Sequence, residues 1–310
     1  MNTRDSTTID LTIAAVERDT GIGKDTLRVW ERRYGFPAPA RDANGERIYP
    51  MVQVEKLRVI KRLMDQGHRP GRIVAQSIEA LQHLSRGEAS LQSSHAPHRS
   101  EVDGPLTACI AMLQMQDDEG LRSHLLKTLA QEGLQKFVTD WVAPLTSMVG
   151  DAWARGDLAV HEEHLYTECV SNIMRQAIAS IPKGATLTGP SVLLTTFPQE
   201  AHGLGLLMVE SLLSLQGCRC VSLGTQTPLR DIAQAAIAHE SDVVALSFSV
   251  NMNPNQIVDG LMELKLLMPE HIEIWVGGQA PALRRRAMDH VLVIQDLASI
   301  QAAVNAWSKR

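Results

Sequence analysis

Residues 191–217, SVLLTTFPQEAHGLGLLMVESLLSLQG, decide the fold of the larger part of this 310-residue chain. Ser191–Phe197 is short, apolar and rich in strand formers, and Pro198 bounds it, so it reads as a buried strand. After a polar loop, GLGLLMVESLLSLQG (203–217) reads as an amphipathic helical stretch. The alternation continues with CVSL (220–223), LRDIAQAAIAHE (229–240), DVVALSFSV (242–250) and NQIVDGLMELKLLM (255–268). It ends with IEIWVGG (272–278), ALRRRAMDH (282–290), VLVIQ (291–295) and IQAAVNAWSKR (300–310). Five strands, each followed by a helix, describe a parallel sheet covered on both faces. Ligands of such folds bind beyond the carboxyl ends of the strands.

Those ends carry the informative residues. Glu200-Ala201-His202-Gly203-Leu204-Gly205 follows the first strand, and Leu223-Gly224-Thr225 the second. Ser247-Phe248-Ser249 follows the third and Gly277-Gly278 the fourth. A metal-binding imidazole needs its second nitrogen held by an acceptor, which Glu200, two residues earlier, can supply. Gly205 lets a bulky group approach the backbone. ExHxxG alone is a weak signal, because a histidine after a strand is more often an ordinary loop or core residue. The small and hydroxyl residues at the other strand ends strengthen it.

Upstream, residues 105–182 show helical spacing, as in Leu121, Leu125, Leu129 and in Leu165, Cys169, Ile173, with no strong strand signal. Their length suits a four-helix bundle. Residues 84–104, LSRGEASLQSSHAPHRSEVDG, are rich in Ser, Gly and His and read as a linker. Residues 9–80 read as short helices with a basic strand-turn between them. Thr20-Gly21-Ile22-Gly23 makes the turn between two helices, the second being KDTLRVWERRY (24–34), and Asn44-Gly45 signals a hairpin within ARDANGERIYP. A helix-turn-helix sets its second helix in the major groove of DNA, with the hairpin wing on the flanking backbone.

Charge supports that division. The chain carries −5 overall, yet residues 24–72 hold twelve Lys/Arg against six Asp/Glu, which leaves −11 on the remainder. A basic segment on an acidic chain implies a polyanionic partner for that segment. The expected contacts are Lys24, Thr26, Arg28, Arg32, Arg33, Tyr34, Arg41 and Arg47, mostly to phosphates. The Trp30, Tyr34 and Tyr49 rings are expected to lie in the core. Hydrophobic residues make up 44% and charged ones 21%, and no apolar run reaches membrane-span length. The start is polar without a signal-peptide core, and Cys109, Cys169, Cys218 and Cys220 form no CxxC pair. A cytoplasmic protein with reduced thiols is expected, with no membrane partner.

Two resemblances sharpen the reading. Thr26-Leu27-Arg28-Val29-Trp30-Glu31, then Arg33-Tyr34-Gly35, Pro39-x-Arg41 and Gly45-x-Arg47-x-Tyr49, resembles the winged helix-turn-helix head of MerR-family regulators. The long dimerising coiled coil usual there is not evident after Arg72, so assembly as a homo-oligomer, dimer or tetramer, must come from elsewhere. The strand-end set over 190–310 is similar to the B12-binding domain of methionine synthase and the cobalamin mutases, an α/β flavodoxin-like (Rossmann-like) fold. That resemblance implies cobalamin as cofactor, with His202 the lower ligand of cobalt and Glu200 its partner. Gly205, Ser247, Ser249, Gly277 and Gly278 would line the slot for the nucleotide tail.

Within GDAWARGDLAVHEEH, nine residues separate Trp153 from Glu163-His164, a Wx9EH pattern that resembles the bundle of CarH/LitR-type photoreceptor regulators. The resemblance implies that Trp153 and Glu163, with His164, cap the upper face and hold the 5′-deoxyadenosyl group of adenosylcobalamin. Many members carry, after the tryptophan, a histidine that binds cobalt once light expels the adenosyl group. Here the residue is Ala154, with His161 and His164 the other nearby imidazoles. The chain as a whole is expected to be a light-responsive, adenosylcobalamin-dependent transcriptional regulator on double-stranded operator DNA. The alternative is a light-insensitive MerR-type sensor of cobalamin or another planar ligand. An enzyme is not expected, because no region reads as a substrate barrel or methyl-donor domain.

Overall fold

The computed structural model describes residues 10–42, 45–65, 68–81, 84, 103–182, 189–250, 252–285 and 290–309. They form two compact units. The first is a winged helix with strand β1 (Asp10–Thr12), helices α1 (Ile13–Thr20) and α2 (Lys24–Tyr34), and strands β2 (Ala40–Arg41) and β3 (Arg47–Pro50). Helices α3 (Met51–Asp65) and α4 (Pro70–Ile73) complete it. Thr12 caps α1 by accepting from the Ala15 amide at 3.3 Å. Gly21 and Gly35, both at φ +68°, end α1 and α2 in the left-handed conformation that glycine adopts without strain. The strands pair antiparallel in the order β1-β3-β2, with Arg41 opposite Arg47. Leu27, Trp30, Tyr49, Leu57 and Ile60 fill the core beneath. Asn44, in the turn, and nearly all of the 84–104 segment lie outside the described residues.

The second unit joins a helical bundle to an α/β layer. The bundle comprises α5 (Asp103–Gln114), α6 (Asp118–Lys136), α7 (Ala143–Arg155) and α8 (Val160–Ala179). Between α6 and α7 the chain makes a π-helical turn over Phe137–Val142, the Ala143 amide reaching back five residues to Val138. Pro144, without an N–H, cannot continue the ordinary i→i−4 ladder at this point. The buried Tyr166 hydroxyl lies 2.7 Å from Thr146 Oγ1, so a polar group in the bundle core is satisfied.

The α/β part runs β4 (Ser191–Thr195), α9 (Leu204–Leu215), β5 (Arg219–Gly224), α10 (Leu229–Ala238), β6 (Val243–Phe248) and α11 (Pro254–Leu267). It closes with β7 (Glu273–Gly278), α12 (Ala282–Arg285), β8 (Val291–Val293) and α13 (Ser299–Trp307). All five strands are parallel, in the order β5-β4-β6-β7-β8. The chain reverses its direction of strand addition between β4 and β6, which places the ligand-binding crevice there. Alternate residues feed two cores. Leu193, Val244 and Leu246 pack under α10 and α11. Val192, Leu194 and Val243 share a core with α9, α13 and the bundle, α9 packing directly on α8.

Candidate functional site

The loop from β4 to α9 is built around one buried carboxylate. Glu200 is 2% exposed, whereas the His202 side chain, two residues on, is 64% exposed. Glu200 Oε1 stands 2.5 Å from His202 Nδ1 and accepts the His202 amide at 3.1 Å. Its Oε2 accepts the Ser249 amide at 2.7 Å, across the switch point just after β6. Burial pushes the Glu200 carboxyl up. The hydrogen bonds from the His202 ring and from Ser249 outweigh burial, so the carboxyl sits below its ordinary value and stays charged. An anion at Nδ1 fixes the ring so that any metal would be taken by Nε2.

Two of the glycines expected around the site, Gly205 and Gly278, act through close packing. A Cβ on Gly205 would fall 2.7 Å from Ser247 Oγ, so the start of α9 rests on the end of β6. Gly278 adopts φ +111°, and a Cβ there would meet the Phe248 carbonyl oxygen at 2.2 Å. Gly277 and Gly278 lie beside Ser247 and Phe248 in register, which gathers three of the expected residues, Ser247, Gly277 and Gly278, at adjoining strand ends. The room expected at Gly205 is in this structure used by the Ser247 hydroxyl.

Trp153, on α7, is partly buried against the core shared by bundle and sheet. Glu163 lies in the first turn of α8, where Oε1 accepts from Thr167 at 2.8 Å and Oε2 is 3.7 Å from His164 Nε2. His164 is 71% exposed. Trp153 and Glu163 thus stand on consecutive helices, and His161 is exposed in the same first turn of α8.

In the winged helix, Thr26, Arg28, Arg32, Arg33 and Arg41 are exposed, and Lys24, Tyr34 and Arg47 partly so. Several of the cations have internal partners that the sequence did not disclose. Lys24 pairs with Glu17 at 3.2 Å, Arg28 with Asp25 at 3.0 Å, and Arg47 Nε with Glu31 at 2.9 Å. The last pair ties the wing to α2. Arg33 lies over the Tyr34 ring at 5.3 Å, and Arg41 donates to the Gly45 carbonyl at 2.6 Å. Trp30 and Tyr49 are core residues as expected, 4% and 0% exposed, and Tyr34 is half-buried. Among the described residues no helix is long and apolar enough to cross a membrane.

Comparison with known proteins finds matches for both units of the chain. Residues 11–75 match the MerR HTH family of regulatory proteins. Residues 107–178 and 190–299 each match a B12 binding domain. The chain is 30% identical over 281 residues to the HTH-type transcriptional repressor CarH of Myxococcus xanthus, covering 90% of both chains. It is also 30% identical over 273 residues to the repressor CarA of the same organism, covering 86% of each. The monomethylamine corrinoid protein of Methanosarcina barkeri shares the fold, with a TM-score of 0.53 at 16% identity over 66% of this chain and 99% of that one. A MerR head, two B12-binding matches and full-length similarity to two repressors of that build lead to one conclusion: the chain belongs to the family of B12-binding MerR-type transcriptional regulators.

Proposed function

We propose that this regulator holds adenosylcobalamin through His202 and that light changes its assembly, and with it its grip on double-stranded operator DNA. The observation that carries the reading is the buried Glu200 carboxylate bonded to the exposed His202 ring at the switch point between β4 and β6. The donor set fits the group. Cobalt in a corrin ring needs a single ligand from below, whereas a bare structural ion such as zinc takes four. Among the described residues no three His, Cys, Asp or Glu stand together to hold a bare ion.

When bound, adenosylcobalamin supplies a cobalt–carbon bond that light can cleave. The protein does the rest. His202 would hold the cobalt, Glu200 fixes the tautomer of its ring, and the Ser249 amide holds Glu200. The strand-end residues Gly205, Ser247, Gly277 and Gly278 flank the path of the tail. From the bundle, Trp153 would offer a ring face to the adenosyl group and Glu163 an acceptor to ribose hydroxyls, which its Oε2 suits because Oε1 already serves Thr167. Lys24, Thr26, Arg28, Arg32, Arg33, Tyr34, Arg41 and Arg47 meet the operator, two copies of the head reading two half-sites in a dimer or tetramer. Such a protein works in the cytoplasm and catalyses nothing.

Ala154, where a second cobalt-binding histidine would stand, favours a second reading, a light-insensitive sensor of cobalamin. Operator-binding isotherms of apoprotein, of protein with adenosylcobalamin in the dark, and of the same sample after green light separate the two. The proposal expects the dark and lit isotherms to differ, together with the molar mass. Cobalamin dependence without light dependence selects the second reading, and dependence on neither removes both.

A further inference from the structure

The His202 loop is fastened on two sides, one of them the Glu200–Ser249 bond already described. The opposite side is the loop between β5 and α10, and Thr196 is its anchor. Thr196 is fully buried. Its Oγ1 donates to the Glu200 carbonyl at 2.6 Å and accepts the Gln226 amide at 2.8 Å. Its own carbonyl accepts the Thr227 amide at 3.0 Å. One hydroxyl therefore joins the backbone of the carboxylate that holds His202 to a loop from the neighbouring strand. The same loop lies close to Gly203, the residue after the histidine, since a Cβ there would lie 3.2 Å from Thr225 Cγ2. Gln226 is a non-glycine residue at φ +62°, a conformation held by its surroundings, and its Nε2 donates to the Pro198 carbonyl at 3.2 Å.

We propose that Thr196 is a positioning residue for His202: its hydroxyl fixes the backbone at Glu200, and so the height and aim of the imidazole beneath cobalt. The proposal rests on His202 being the lower ligand. A neighbouring hydroxyl pair provides the contrast. Thr195 Oγ1 lies 2.7 Å from Thr227 Oγ1, which links the same two loops without touching Glu200. A merely structural role would make the two links equivalent.

The test compares wild type, Thr196→Val, Thr196→Ser, Thr227→Val and His202→Ala, each labelled with ¹⁵N-histidine and loaded with cob(II)alamin. Electron paramagnetic resonance reads directly whether a histidine nitrogen is bound, and spectral titration gives the affinity. Thermal melting and amide exchange of the apoproteins report folding independently of the cofactor. Thr196→Val should lose most of the histidine-coupled signal and bind cobalamin about 10-fold more weakly, in the range seen for outer partners of metal ligands. Thr196→Ser should restore both, and Thr227→Val should keep both. Full histidine coupling in Thr196→Val, or an equal loss in Thr227→Val, overturns the proposal. Should Thr196→Val not fold, Thr196→Ala, which leaves room for a bridging water, is read by the same two criteria. A signal unchanged in His202→Ala removes the ligand assignment itself, and the proposal with it, which differs visibly from a loss in His202→Ala alone.

Discussion

A carboxylate buried to 2% exposure is costly unless its charge is bonded, and Glu200 has both oxygens occupied, by His202 and by the Ser249 amide. Glu200→Gln keeps the shape but removes the charge that orients the ring. It should weaken cobalamin binding by about 10- to 100-fold in a spectral titration, with the melting curve little changed. Undiminished affinity would leave Glu200 with a purely structural role. The thiols answer a different question. Burial pushes Cys109 and Cys220 up to about 11 and Cys218 to about 12. A group raised on folding stabilises the native state below its unfolded value and ceases to do so as pH climbs through the folded one. These thiols therefore add stability up to about pH 9 that fades towards pH 11–12. Iodoacetamide at pH 8 should accordingly label them far more slowly in the native protein than in urea, and equal rates would refute their burial. At this scale the sequence was half legible. The ExH spacing puts Glu200 beside His202 by local geometry alone. The Ser249 amide meets Glu200 only because the sheet brings a residue 49 positions away to that point, and no spacing rule announces that. The Thr196 hydroxyl reaches the Glu200 carbonyl locally, four residues along the same loop, yet a threonine at a strand end carries no signal of it.

Among the elements, α2 and the wing were legible from residues 26–49, because a helix-turn-helix is a local structure with dense sequence signals. Their ion pairs were not, since Glu31 reads equally well as a solvated charge. Arg28, paired with exposed Asp25, gives up an interaction worth about 0–1 kcal/mol if it turns to a phosphate. Arg32→Ala should lower the slope of log affinity against log salt by about 0.9. A slope unchanged across a salt series would remove it from the interface. The glycines give a second test. Gly278→Ala places a methyl against the Phe248 carbonyl at a φ of +111° and should cost about 3 kcal/mol or more in urea unfolding. Gly205→Ala displaces only the Ser247 hydroxyl and should cost about 1–3 kcal/mol. The reverse order would show that the strand-end packing is misjudged. Helical periodicity marked the bundle over 105–182, but it could not show that Gly133 breaks the helix at φ +77° or that Pro144 forces a π-turn.

On the scale of the whole molecule, the bundle and one face of the sheet share a single core, in which Leu121, Val142 and Tyr166 stand with Val192, Leu206 and Val243. A bundle that shares its core with the B12-binding domain forms one cooperative unit with it. The shared core predicts that residues 103–309 melt in one calorimetric transition that adenosylcobalamin raises, since a ligand stabilises whatever binds it. The proposed switch is a chain whose His202 seats adenosylcobalamin and whose assembly light alters. Its most direct measurement is the absorption spectrum of wild type and His202→Ala with adenosylcobalamin, before and after green light. The account predicts a histidine-ligated dark spectrum in wild type that converts on illumination, and a cofactor that His202→Ala fails to retain. A dark spectrum shared by both proteins, or one that green light leaves unchanged in wild type, would contradict it.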